Sequence, residues 1–486
     1  MRTDDYARLA EQYLRRLRQE ECAHFAGRKQ TFDTGQIFDE FGELFSREAV
    51  LARLDDRADR EGRYLAEFAV YGYIDRELRG LTEAITNEES SASVDCQGKV
   101  LPFRAACALL ATEARQERRR SLELAVAESV ARQNRLRAER IAGQREVAHQ
   151  LGFADYAELC EEVSGQPLTA LGAEMAALAN ATGPVYRSSM QAAFSRVEIE
   201  TDGATDADLR WVLMAPRWEN LLSREKLIPA AEATLRNLGI TLSEQSNLRL
   251  DLELRPTKYP RPFCSPIAVP GEVWVVASPR GGWCDYLSLF HELGHAEHFA
   301  HTSPHLPVAY RLMGDSAVGE SFAFVLQSVV MEREWLRRVM GLEKVPEELL
   351  QAGHLLNLWY LRRYAGKLAY ELELHRHQGP VSDMMPRYAT VLSEAVGARV
   401  MGEQYLFDVD DAFYCARYLR AWMFDACLRQ YLRQRFGNSW CFDRRSGEWL
   451  RTLWERGQQY TVEELAAELG IAFDARILQQ QLLVKP

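Results

Sequence analysis

No stretch of this chain offers about 18 consecutive apolar residues, so no membrane span is expected. Nor does it open on the apolar run of an export signal, because Met1-Arg2-Thr3-Asp4-Asp5 leads straight into a charged helical pattern. Cysteine pairing is missing as a pattern too. The nine cysteines (22, 96, 107, 160, 264, 284, 415, 427 and 441) are odd in number, scattered, and never spaced Cys-x-x-Cys. That argues against a disulfide framework or a zinc–thiolate site, and a reducing cytoplasm is the simplest reading. Positive charge is in deficit: 59 Lys and Arg face 70 Asp and Glu, for a formal net charge of -11. Generic binding to nucleic acid or to an acidic membrane is therefore not expected. Internal repeats and low-complexity tracts are absent, and none of the ten histidines lies beyond His377.

What is present is a composition able to bury a core, with 47% hydrophobic and 27% charged residues. The 486 residues suffice for two or three domains, or for one large two-lobed helical protein. Up to about residue 195 the pattern is helical: Leu9, Tyr13, Leu14 and Leu17 recur at helical spacing, as do Leu65, Phe68, Ala69 and Tyr73. Leu109 to Val147 is rich in Ala, Leu, Glu and Arg, all good helix formers. Asn87–Gly98 and Glu198–Asp208 read as polar, turn-rich interruptions. The texture changes between Leu248 and Gly282, where prolines cluster before the β-rich run Val273-Trp274-Val275-Val276. One small sheet is expected there, with a hairpin turning at Pro270-Gly271. Asp285 then offers a helix cap, and the chain is helical almost to its end. The fold class expected is mainly α.

The chemistry concentrates in His291-Glu292-Leu293-Gly294-His295. Residues four apart share a helix face, so both imidazoles can reach one ion, zinc by preference. Glu292 is then placed to take a proton from a metal-activated water and pass it to the leaving amine. A chance match of this motif is expected in roughly one or two chains per hundred of this histidine content. The apolar run Tyr286–Phe290 lowers those odds, because it makes the helix buried, where adjacent histidines and a carboxylate need partners.

A catalytic zinc usually takes three protein ligands. Glu320 heads the nearly apolar run Ser321–Met331, where a lone carboxylate is costly unless a cation or metal meets it. His301 is the competitor, but it would stand about 15 Å from residue 291 along an unbroken helix. The glycine that would break the helix three residues after the second histidine is replaced here by His298. Glu320 is the expected third ligand. Arg417 and Arg420 are candidates for gripping a peptide carboxylate, with structural ion pairs as the alternative.

From about Phe263 to Val330, with His291-Glu292-Leu293-Gly294-His295-Ala296-Glu297-His298 and the later Gly319-Glu320, the sequence resembles the oligopeptidase F and thimet oligopeptidase family of zinc peptidases. The resemblance implies a two-lobed helical protein with a deep channel, residues 1–240 forming one wall and 241–486 the catalytic lobe. It implies one zinc held by His291, His295 and Glu320, and unstructured peptides as substrates. The strand around Val275, Val276 and Ala277 would pair with the peptide backbone. Phe413-Tyr414-Cys415-Ala416-Arg417-Tyr418 is similar to the family's tyrosine-rich helix, implying that Tyr418 and Tyr414 assist the oxyanion. The family's histidine ahead of those tyrosines has no counterpart, since Asp408, Val409 and Asp410 stand in the approach. A carboxypeptidase, or a catalytically silent peptide-binding relative, are the alternatives. The sequence leaves the oligomeric state open.

Overall fold

The computed structural model describes residues 1–214, 218–255 and 257–484. Among them, helices dominate and strands are confined to two small sheets. No described helix is long and apolar enough to cross a membrane, and no disulfide forms. The chain divides into two compact units, each assembled from separated segments.

The first unit comprises Met1, Thr31–Met214 and Leu355–Leu419. Two long helices that pack against each other, Arg60–Ser91 and Gln116–Gln150, form much of its core. Asp59 caps the former by accepting from the Gly62 amide at 2.7 Å, which satisfies one of the helix's orphan N–H groups. Strands β1 (Ser93–Cys96) and β2 (Lys99–Pro102) form a hairpin across Gln97 and Gly98, at φ 55° and 78°. That is the left-handed pair a two-residue hairpin loop needs. The hairpin is a correction to the sequence reading, which saw only a polar, turn-rich stretch at Asn87–Gly98 and expected a single sheet. The period-two signal is short: only Val94 and Cys96 of β1 are buried, and none of β2 is.

The second unit comprises Arg2–Gln30, Ala215–His354 and Arg420–Pro486. The observed division therefore differs from the expected one at residue 240. The N-terminal helix Thr3–Phe25 belongs with the three-stranded sheet because Cys22 and Ala26 pack on Ile267 and Val276. Arg18 also donates to the Pro266 carbonyl at 2.9 Å. Two of the boundaries, before Leu355 and after Leu419, fall inside the helices Glu347–Arg376 and Tyr414–Phe436.

The sheet runs in the order β3 (Leu248–Asp251), β5 (Glu272–Val276), β4 (Phe263–Ala268), with β3 parallel and β4 antiparallel to β5. The β4–β5 turn lies at Pro270-Gly271, as the sequence suggests. The helix Trp283–His301 follows directly. Asp285 sits inside its first turn rather than at the cap, and its carboxylate accepts the Arg280 and Gly281 amides at 2.5 and 2.7 Å. This helix packs against Ser316–Val329, whose residues from Ala317 onward are all buried. An apolar side chain buried there contributes about 1.5–3 kcal/mol, which explains why the run is so poor in polar residues. Its cap, Asp315, is buried but well supplied: it accepts from the Ala317 amide at 3.1 Å and from Arg420 at 2.8 Å.

Candidate metal centre

His291 and His295 project from one face of the helix Trp283–His301, as their spacing requires. Their Nε2 atoms stand 3.2 Å apart. Glu320 Oε2 completes the group from the neighbouring helix, 3.3 Å from His291 Nε2 and 3.4 Å from His295 Nε2. Three nitrogen and oxygen ligands at about 2.05 Å from a tetrahedral zinc would be separated by about 3.3 Å. The three edges match that figure, whereas two imidazole nitrogens facing each other gain little from a hydrogen bond. The donor set therefore fits a zinc ion.

Gly294 makes this approach possible. A Cβ at that position would lie 2.5 Å from Ala323 Cα and 2.7 Å from the Phe322 carbonyl oxygen. The two helices thus meet backbone to backbone, which brings Glu320, three residues before Ala323, within reach of the histidines. The glycine inside the motif is a packing requirement of the ligand set.

Electrostatics agree with the geometry. Burial would raise the Glu320 carboxyl, but His295 and His291 outweigh it and hold that group far below its ordinary value. Burial would lower His295, yet Glu320 raises it. Glu292 is shifted upward, first by burial and then by Glu320, against the lowering influence of the two histidines and the Cys264 amide on β4. A raised carboxylate is what a residue needs to accept and return a proton near neutral pH.

Gln327 was not singled out from the sequence. Its Oε1 stands 2.9 Å from His291 Nδ1, a hydrogen bond that orients the ring with Nε2 toward Glu320. The signal was present: Gln327 lies two helical turns beyond Glu320 in an otherwise almost apolar run. His301 is held elsewhere, its Nδ1 2.9 Å from the Glu297 carbonyl oxygen, and it takes no part in the cluster. Burial pushes His298 down to about 4 and Glu297 up to about 7.

Two of the expected substrate contacts have other partners in the structure. β5 is the central strand, with Val275 paired to Leu250 and Cys264 and Val276 to Asp251 and Phe263. The Ala277 amide donates to the Asp251 carbonyl at 3.0 Å. With both sides of β5 taken, Val275, Val276 and Ala277 have their backbone groups engaged; the edge strands are β3 and β4. Arg417 pairs with Glu67, and Arg420 with Asp315 and Glu463, so the ion-pair alternative holds for both.

Tyr414 and Tyr418 belong to the first unit, one turn apart at the start of the helix Tyr414–Phe436, with ring centroids 5.2 Å apart. Tyr364 packs edge-on to Tyr418, also at 5.2 Å. The turn Asp411–Phe413 that precedes them is strained: Ala412 and Phe413 both adopt left-handed backbone, at φ 53° and 52°. This conformation costs about 1–2 kcal/mol for each residue with a Cβ. Nearby, Glu371, Asp410 and Cys415 form a second group of potential ligand atoms.

No protein-family model matches the sequence, and no curated protein does. Solved structures do. A protein named as an oligoendopeptidase F from Bacillus anthracis strain Ames aligns over 99% of this chain and 83% of its own, with a TM-score of 0.65 at 13% identity. PZ peptidase A with an inhibitor aligns over 94% and 87%, with a TM-score of 0.67 at 14% identity. A further structure named as an oligoendopeptidase F, from crystals grown by microfluidic seeding, aligns over 96% and 84%, with a TM-score of 0.63 at 13% identity. Across nearly its whole length, this chain has the mainly helical fold of those oligoendopeptidase F and PZ peptidase structures.

Proposed function

We propose that the chain is a zinc-dependent peptidase that hydrolyses short, unstructured peptides. The observation that carries this reading is the triangle of His291, His295 and Glu320, with edges of 3.2–3.4 Å, and Glu292 beside it on the same helix. The peptide substrate is supported by the names of the structural neighbours, all peptidases.

A zinc ion held there would acidify a water and polarise the scissile carbonyl. Glu292 takes the proton from the attacking water and delivers it to the departing amine. His291 is oriented by Gln327, whose contact with Nδ1 turns Nε2 toward the zinc position. Tyr418, with Tyr414, donates a phenolic hydrogen bond to the oxyanion that develops on the carbonyl. The raised Glu292 carboxyl matches this duty, since a carboxylate of ordinary basicity would take the water's proton too reluctantly at neutral pH.

The test is metal content of purified wild type and Glu320→Ala, with hydrolysis of a quenched peptide library on the same samples. We expect about one zinc per wild-type chain, lost together with activity in the variant. Full zinc and full activity in Glu320→Ala would overturn the ligand set. Zinc-loaded wild type that binds peptides without cleaving them would establish a silent binding protein instead.

A further inference from the structure

The tyrosine helix is entered through a turn that its own residues do not favour. Two successive left-handed residues, Ala412 and Phe413, carry side chains, so local preference does not dictate this path. Something outside the turn must impose it, and the structure supplies a set of holds. Arg140 grips Asp411 with both ends of its guanidinium, at 2.5 and 2.9 Å, and Gln144 adds a third bond at 2.8 Å. The Arg140 side chain is itself only 13% exposed and is braced by Thr82 Oγ1 at 3.1 Å, while Asp411 stays 60% exposed. The Ala412 amide donates to the Tyr156 hydroxyl at 3.3 Å, and the buried Phe413 ring stacks on Tyr156. On the near side of the turn, the Asp410 amide donates to Glu371 at 2.8 Å.

Tyr414 is the next residue, and Tyr418 lies one helical turn further on. The direction in which a helix leaves a turn is fixed by the dihedrals of that turn, so these holds set where both phenols point. Aim matters for such a donor: a displacement of about 1 Å can cost on the order of 100-fold in rate.

We propose that Arg140 is a positioning residue for the reaction: through Asp411 it locks the left-handed turn Asp411–Phe413, and the locked turn aims Tyr414 and Tyr418. This rests on the reading above that those tyrosines serve the oxyanion. Arg140 touches neither substrate nor metal ligand; it acts through the backbone. A merely structural guanidinium would lower thermal stability on removal and leave turnover by the surviving folded molecules unchanged.

The experiment compares Arg140→Met, Arg140→Lys, the double variant Tyr414→Phe/Tyr418→Phe, and Arg140→Met in that double background. Hydrogen exchange of the amides from Asp410 to Leu419 is measured along with kcat, KM and zinc content. For Arg140→Met we expect exchange of these amides to quicken about 10-fold or more. We expect kcat to fall roughly 10- to 100-fold, with KM within about 3-fold and zinc retained. Arg140→Lys, which keeps the charge and is the safer variant for folding, should recover part of both. In the background lacking both hydroxyls, Arg140→Met should cost no more than about a further 3-fold. Unchanged exchange in Arg140→Met or Arg140→Lys would overturn the lock, whatever the activity. A full multiplicative loss in the tyrosine-free background would overturn action through the tyrosines. Quickened exchange with normal turnover by the double tyrosine variant would uphold the lock and overturn the oxyanion reading instead.

Discussion

Two groups of three potential ligands lie among the described residues with their donor atoms within 4.8 Å, one in each unit: His291, His295 and Glu320, and Glu371, Asp410 and Cys415. By residue type the second is as plausible a metal site as the first. The protons and cations around them decide otherwise. Lys367 already places its ammonium 2.7 Å from Asp410, the Asp410 amide donates to Glu371, and the Cys415 thiol donates to Glu371 Oε2 at 3.2 Å. Burial raises the Glu371 carboxyl and the Cys415 thiol well above their ordinary values, which favours their neutral forms. A divalent ion would have to displace the lysine and compete with protons there. In the other group, the two histidines hold the Glu320 carboxyl far below its ordinary value, and Gln327 engages the remaining nitrogen of His291, so the three donor atoms converge on one point. Proximity of ligand residues is a weak signal of a metal site; convergence of their donor atoms at coordination spacing is a stronger one.

The sharpest way to break this comparison is to disable one ligand in each group. His295→Ala should abolish both zinc binding and hydrolysis, while Glu371→Gln should leave the zinc at one per chain by elemental analysis. Two zinc ions in the wild type, one of them lost in Glu371→Gln, would refute the distinction. Next in size is Glu292→Gln, which keeps the ligand triangle and removes only the proton carrier. We expect roughly a 100- to 10,000-fold lower kcat with zinc content unchanged. Wild-type turnover by the zinc-loaded variant would remove Glu292 from the chemistry.

The two groups were not equally legible in the sequence. His291, Glu292 and His295 are local, set by helical spacing, and Glu320 stands out because a carboxylate at the start of a buried apolar run needs a partner. The mainly helical fold followed from periodicity in the same way, and the β4–β5 turn from its Pro-Gly. What could not be read is what depends on distant partners. That β5 is central, and so closed to a substrate, depends on β3, which pairs with it in parallel from well upstream. Arg417 finding Glu67, and Arg140 finding Asp411, depend on residues hundreds of positions apart in the chain. The β1–β2 hairpin escaped because its strands bury too few side chains to show an alternation.

Gly294 tests whether the ligand triangle owes its geometry to helix contact. Alanine is the better helix former, so on an isolated helix the change would be favourable by about 1 kcal/mol. Here the added methyl meets backbone at 2.5 and 2.7 Å, which cannot rotate away as a side chain would. We expect Gly294→Ala to destabilise the protein by about 1–3 kcal/mol and to weaken zinc binding in competition with a chelator, because separating the helices withdraws Glu320. The corresponding change beside the second cluster, Ala416→Gly, should leave zinc affinity untouched. Zinc affinity unchanged in Gly294→Ala would show that the triangle tolerates helix separation.

The smallest effect contrasts two histidines. His295 is raised because Glu320 overcomes its burial, whereas His375, packed between the Tyr156 and Phe413 rings, is pushed down to about 3 by burial. An unfolded chain takes up that proton near the ordinary value of 6.5, and the native state resists it. The contribution of His375 to stability is therefore complete above pH 6.5 and is lost as pH falls from there toward 3. Integrated between pH 7 and pH 5, the loss is about 2 kcal/mol. His375→Phe keeps an aromatic ring in the stack and removes the titration. Its urea unfolding free energy should fall by about 2 kcal/mol less than that of the wild type over the same interval. Parallel declines for the two proteins would mean that His375 is protonated in the folded state after all, and that the stack beneath the strained turn opens to water well above pH 3.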